Sequence, residues 1–244
     1  MPHEPSTGHL HHRVALITGA SRGIGLAIAR ALAAEGCHLV LAGRDQSALR
    51  RISRELASAK IQVLAHPCDV RDPQAIDDLF RAIRAQFKRL DILVNNAGIA
   101  HANLPVDKLP LPLWKDVIET NLTGTFLVTQ AALAIMKRGG TIVNNLSIAA
   151  NRVFAGSAAY VASKHGTLGF TNTLRDELRP RGIRVIALLP GATNTGIWNS
   201  FWPQAPRKKM LSPHTVATAV VNAILLPPNA TVETLEILPT AGLL

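Results

Sequence analysis

Short apolar runs recur seven times along the 244-residue chain, and six of them are followed by a segment of helical periodicity before the next run begins. The runs fall at 14–17, 38–42, 61–65, 92–94, 141–144, 183–189 and 234–238. Helices are expected over 26–34, 47–59, 73–87, 113–136, 158–178 and 213–225. Apolar runs without polar alternation belong to strands buried on both faces, as in a parallel sheet covered by helices. Strict strand–helix alternation calls for right-handed crossovers. The fold class expected is therefore α/β: a doubly wound, about seven-stranded parallel sheet with helices on both faces. No linker or second periodicity interrupts the rhythm. A single domain is expected over 13–244, after a disordered lead-in at 1–12.

The first apolar run leads straight into Thr18-Gly19-Ala20-Ser21-Arg22-Gly23-Ile24-Gly25 and then a helix. Glycines at such a junction let the backbone turn tightly and approach a pyrophosphate, which sits on the free N–H groups and the positive dipole end of the helix. Their spacing, G-x-x-x-G-x-G, departs from the commoner G-x-G-x-x-G. The end of the second strand decides which dinucleotide fits. An NAD site places a carboxylate there for the ribose 2′-hydroxyl. This chain reads Leu41-Ala42-Gly43-Arg44, with no acid before Asp45. A guanidinium binds a 2′-phosphate that a carboxylate would repel. Arg44, with Arg22 in the glycine loop, points to NADP(H).

Tyr160 and Lys164 lie four apart on a predicted helix, so phenol and ammonium share a face. A nearby cation is expected to lower the phenol's pKa and fit it for proton transfer near neutrality. Tyr160 is the chain's one tyrosine. Thirteen residues upstream, Ser147 is expected at the end of the fifth strand, where its hydroxyl could meet a substrate carbonyl.

From about Arg13 to its end the chain resembles the short-chain dehydrogenase/reductase family. The glycine motif, Asp69-Val70, Asn95-Asn96-Ala97-Gly98, Asn121, Ser147, Tyr160-x-x-x-Lys164 and Pro190-Gly191 carry the resemblance, in that order. It implies a Rossmann fold of the NADP-preferring, 3-oxoacyl-thioester-reductase-like branch. Cofactor would be held by Gly19, Ser21, Arg22, Gly23, Ile24, Gly25, Arg44, Asp69 and Val70, and by Asn95, Ala97 and Gly98. Asp69 would accept from the adenine amino group. Pro190, Gly191, Thr193 and Thr195 would hold the nicotinamide amide, and Lys164 with Tyr160 its ribose. Tyr160 would be the general acid or base, Ser147 would polarise the carbonyl, and Asn121 would support a water relay through Lys164. The family resemblance also implies a homotetramer, or a dimer, through the two long helices.

After Pro190-Gly191 comes a segment rich in aromatics, with Trp198, Phe201 and Trp202 followed by Arg207-Lys208-Lys209. A substrate lid is expected over about 195–212, with Phe154 as a further wall. Such a lid points to an apolar or ring-containing carbonyl compound, with room for an anion. The function expected is hydride transfer between NADP(H) and a ketone, aldehyde or secondary alcohol. The rival readings are a 3-oxoacyl-thioester (acyl-carrier-protein) reductase and a non-catalytic NADPH-binding regulator.

Charge excludes little by itself. Lys plus Arg number 26 against 16 acids, a net +10, but the basic residues are dispersed over predicted helices and aromatics are only 4% of the chain. Without stacking platforms or a basic block, nucleic acid is not an expected partner. No run of ~18 uncharged apolar residues predicts a membrane span. The start of the chain lacks a secretory pattern. Cys37 and Cys68 are expected as buried free thiols in a cytoplasmic protein. His3, His9, His11 and His12 are interrupted by proline and glycine and are expected to hold no metal.

Overall fold

The computed structural model describes residues 10–58 and 60–243. Seven strands, β1 (Val14–Thr18), β2 (His38–Gly43), β3 (Val63–Pro67), β4 (Leu90–Asn95), β5 (Met136–Asn145), β6 (Arg184–Pro190) and β7 (Thr234–Ile237), form one sheet. Its order is β3-β2-β1-β4-β5-β6-β7, and every neighbouring pair is parallel. The helices between them are α1 (Gly23–Ala34), α2 (Gln46–Leu56), α3 (Pro73–Gln86), α4 (Leu111–Ile118), α5 (Gly124–Leu133), α6 (Ala158–Leu178), the short α7 (Trp198–Phe201) and α8 (Pro213–Ile224). The doubly wound α/β architecture is as expected.

Side chains alternate across each strand, so the sheet divides the core in two. Ala15 and Ile17 of β1 face one cluster, with Ile28 and Leu32 of α1 and Val216 and Val220 of α8. Val14 and Leu16 face the other, with Phe80 of α3, Val128 of α5 and Leu174 of α6. Burial of each such Leu, Ile or Phe stabilises by roughly 1.5–3 kcal/mol. Both cysteines are buried, and burial pushes each thiol up to about 12.

Three expectations are corrected. The helix expected over 113–136 is interrupted: α4 passes through a π-helical segment, Glu119–Thr123, into α5, and Met136 already pairs with Leu90 in the sheet. Gly124, at the π-to-α junction, lies so near Val70 that a Cβ would sit 2.7 Å from the valine's Cγ2, so tertiary contact rather than propensity shapes the break. The helix expected over 47–59 stops at Leu56 because Ala57 turns extended. Of the lead-in expected at 1–12, residues 10–12 form a turn that buries Leu10 against Cys37, whose thiol reaches the Leu10 carbonyl at 3.7 Å. His3 and His9 lie outside the described residues.

Candidate active site

In sheets of this order the crevice opens where strand order reverses, beside the carboxyl ends of β1 and β4. A cavity of about 880 Å³ lies there, reached from the ends of β1, β2, β4, β5 and β6.

One end is built from backbone. Gly19 turns at φ +64, and a Cβ there would lie 3.0 Å from the Ala97 Cα. Gly25 admits no Cβ: it would stand 2.4 Å from Asn96 Nδ2 and 2.5 Å from the Gly19 carbonyl. The loop is therefore pressed against the 96–97 segment, leaving α1 directed at the cavity. Helices α2, α3 and α8 each have a side-chain cap, from Asp45, Asp72 and Ser212 respectively. Helix α1 has none. Its first N–H groups are thus free to bind an anion from the cavity. Arg22 and Arg44 line this end, while Asp45, the first acid after β2, spends its carboxylate on the Ala48 N–H and the Ser47 hydroxyl. Asp69 lines it too. The Arg71 hydrogen bonds hold its carboxyl below the usual carboxylate range, with Nη2 to Oδ2 at 2.7 Å.

At the other end, Ser147 lies just past β5. Its Oγ accepts the Ala149 N–H at 3.1 Å, and its hydroxyl hydrogen-bonds the Tyr160 phenol oxygen. Tyr160 and Lys164, on α6, share a wall, with Nζ 5.6 Å from the phenol ring centroid. Nζ donates to the Asn145 carbonyl at 3.0 Å. The expected lowering of the phenol's pKa is not what this arrangement gives. Burial raises it, with the Ser147 side chain acting in the lowering direction. Burial also brings Lys164 down to about 8. Both groups are pushed toward their neutral forms, because desolvation penalises either charge. A neutral phenol hydrogen-bonded to the Ser147 hydroxyl is equipped to give a proton to an oxygen.

Most of the expected site residues do meet at the cavity: Gly19, Ser21, Arg22, Gly23, Ile24, Arg44, Asp69, Val70, Ala97, Gly98, Ser147, Tyr160, Lys164, Pro190, Gly191, Thr193 and Thr195. Phe154, Trp198, Phe201 and Trp202 line it as well. Three residues do not. Gly25 packs behind the loop, as its close contacts require. Asn95, ending β4, faces the interior and donates to Thr129 Oγ1 at 2.8 Å and Asn144 Oδ1 at 2.9 Å, so it pins strands and touches no ligand space. Its neighbour Asn96, on the opposite face, lines the cavity instead and bonds the Thr18 and Gly19 carbonyls at 2.9 and 3.2 Å.

Asn121, in the π segment, stands one layer back. Its amide exchanges bonds with the Ile99 backbone at 2.8 and 2.9 Å and donates to Ser163 Oγ at 3.0 Å. Its own backbone carbonyl accepts the Thr125 hydroxyl at 2.8 Å. The Thr167 hydroxyl, 3.3 Å away, gives its one proton instead to the Ser163 carbonyl at 2.8 Å. Asn145, whose side chain donates to Asn96 Oδ1 at 2.8 Å, lines the cavity and was not anticipated. The Asn-Asn doublets ending two neighbouring strands, 95–96 and 144–145, were the available signal.

The lid is held by its own polar groups. Trp198 Nε1 donates to the Thr193 carbonyl at 2.8 Å. Arg207 ties the Thr195 carbonyl at 2.7 Å to Asn199 Oδ1 at 2.8 Å.

Comparison with known proteins agrees with this geometry. A family model described as short chain dehydrogenase matches residues 13–206. A Streptomyces coelicolor protein provisionally named a ketoacyl reductase is 37% identical, covering 94% of this chain and 95% of its own. Among solved structures, an alcohol dehydrogenase from Thermococcus sibiricus complexed with 5-hydroxy-NADP superposes with TM-score 0.87 at 32% identity, over 93% of this chain and 97% of that one. A variant of an actinorhodin polyketide ketoreductase with NADPH gives TM-score 0.82 at 34% identity, over 93% and 96%.

Proposed function

The chain belongs to the short-chain dehydrogenase/reductase family, and from that premise we propose that it reduces a ketone or aldehyde with NADPH, Tyr160 donating the proton. The observation that carries this reading is the joint placement of Ser147, Tyr160 and Lys164 around one end of a cavity whose other end is an uncapped helix terminus and a glycine cradle. The cradle fits a dinucleotide: the close backbone approach at Gly19 and the free N–H groups of α1 suit a pyrophosphate. Arg22 and Arg44 would take the 2′-phosphate, and Asp69 and Val70 the adenine side. Gly23, Ser21 and Ile24 complete the loop. Ala97 and Gly98 line the adenosine, and Pro190, Gly191, Thr193 and Thr195 the nicotinamide amide. When bound, the reduced nicotinamide supplies a hydride to the carbonyl carbon.

The protein's own groups act on the oxygen. Ser147 turns its O–H from the phenol to the carbonyl and orients it. As the C=O electron pair moves onto that oxygen, Tyr160 transfers its proton there, making the alcohol and leaving a phenolate. Lys164, holding the ribose side, stabilises that phenolate and returns a proton to it. Burial keeps the phenol protonated at neutral pH, the form reduction needs. A 3-oxoacyl thioester is the second reading, favoured by the similarity to the Streptomyces coelicolor relative. Exposed Phe126 on α5, edge-on to Phe170 on α6 at 6.0 Å, supports a homotetramer through these helices. The buried unpaired thiols support a cytoplasmic location.

The test is NADPH consumption by the purified protein against a panel of ketones, aldehydes and an acetoacetyl thioester. Carbonyl-dependent oxidation of NADPH is expected. Failure across the whole panel, with NADPH binding intact, would overturn the reading in favour of a non-catalytic binder.

A further inference from the structure

Resting on that reading, we propose that the carbonyl substrate is neutral and carries an aromatic ring, which packs against Phe201 and the tryptophans of the lid. The chain has six Phe, three Trp and one Tyr. Phe154, Tyr160, Trp198, Phe201 and Trp202 all line this one cavity, half of the aromatic total in an otherwise aromatic-poor chain. Tyr160, Phe201, Trp198 and Trp202 form a connected set at the proton-donating end. Phe201 stands 6.3 Å from the Tyr160 ring, centroid to centroid. Trp198 meets Phe201 edge-on at 5.4 Å and Trp202 edge-on at 6.3 Å. The Trp198 indole is fixed by its bond to the Thr193 carbonyl, so the wall is rigid where it meets the phenol. Trp202 remains 40% exposed, an open ring face at the rim.

Charge divides the cavity sharply. Arg22, Arg44, Asp45, Arg51 and Asp69 line the cofactor end. The lining residues from 146–160 and 192–202 are uncharged, and the one cation at this end, Lys164 beside Tyr160, gives its ammonium to the Asn145 carbonyl at 3.0 Å. The lid's basic run does not change this. Arg207 spends its guanidinium on the Thr195 carbonyl and on Asn199, and Lys208 and Lys209 are exposed and off the cavity wall. The anion for which the lid left room in the sequence therefore meets no cation on the lid, and the Lys164 ammonium is held back against the Asn145 carbonyl. A carboxylate among the lid rings would lose its hydration against indole and phenyl faces with no compensating charge on the lid. A flat ring gains edge-to-face and stacked contacts on those same faces.

The test compares acetophenone with cyclohexyl methyl ketone, equal in carbon count but without the aromatic face, and with benzoylformate, which adds a carboxylate. Affinity is measured by calorimetry with the ketone and NADP⁺, a pair that cannot react, and kcat/KM with NADPH. Acetophenone is expected to bind about three- to tenfold more tightly than its saturated analogue, and benzoylformate more weakly than either. Trp198→Leu and, independently, Phe201→Leu should each bring the ring preference toward unity. Equal or stronger binding of the saturated ketone, or of the carboxylate, overturns the proposal. The binding arm decides it even if no ketone turns over, an outcome that would instead count against the reductase reading.

Discussion

At its cofactor end the cavity is walled largely by backbone, a glycine turn and bare N–H groups of α1, with Arg22 and Arg44 alongside. At its substrate end the wall is side chain, aromatic and uncharged, on a lid held by Arg207 and by the Trp198 indole. The first is intolerant because an added methyl group would collide with main-chain atoms that cannot step aside. The second is adjustable, because rings can be exchanged without moving the sheet. On the function proposed, recognition of the nucleotide is tied to the fold itself, whereas choice of carbonyl compound is left to a replaceable insert.

The contrast can be broken at either end. Gly25→Val puts a side chain where a Cβ alone would meet Asn96 Nδ2 at 2.4 Å. NADPH affinity should fall by about a hundredfold or more, since 1.4 kcal/mol of misfit costs each factor of ten, and calorimetry reads it directly. Near-normal affinity would show the cradle is softer than its contacts imply. Arg44→Asp should lower the NADPH-over-NADH preference roughly 10- to 100-fold, as one charge-assisted bond is worth about 1.5–3 kcal/mol. Competition titrations of the two cofactors measure the ratio, and an unchanged one removes Arg44 from the phosphate site.

A third prediction concerns pH. Lys164 titrates at about 8 because burial disfavours its ammonium, while burial holds the Tyr160 phenol protonated to higher pH. Reductive kcat/KM should therefore be flat below about pH 8 and fall above it, as the cation that stabilises the phenolate is lost. A limb that instead rises through this range would reverse the assignment. The smallest effect belongs to the lid clamp. Arg207→Ala removes bonds to the Thr195 carbonyl and Asn199, and should raise the ketone KM a few-fold with a melting penalty of about 1 kcal/mol. A large loss of NADPH affinity there would join the two ends more tightly than the structure does.

The backbone-walled end was the more legible in sequence. Its signals are local: a strand, a glycine spacing and a helix, consecutive in the chain. The strand alternation and the Tyr160–Lys164 spacing are local too. What stayed hidden depends on distant contacts. The π segment that interrupts the helix expected over 113–136 arises beside the close approach of Gly124 to Val70, 54 positions apart in the sequence as numbered. Which of Asn95 and Asn96 faces the cavity depends on where β4 ends, and pattern alone does not resolve a one-residue shift. The direction of the phenol's pKa is not legible in sequence, because spacing shows the neighbouring charge but not the depth of burial.

Tyr160→Phe, assayed for NADPH affinity and ketone reduction on the same preparation, tests the proton donor most directly. The substitution removes one hydroxyl and leaves the nucleotide cradle untouched. Affinity within a few-fold of the parent, with turnover down by about 10²–10⁴, is the predicted pair of values. Turnover preserved in that variant would contradict the assignment of the proton to this phenol.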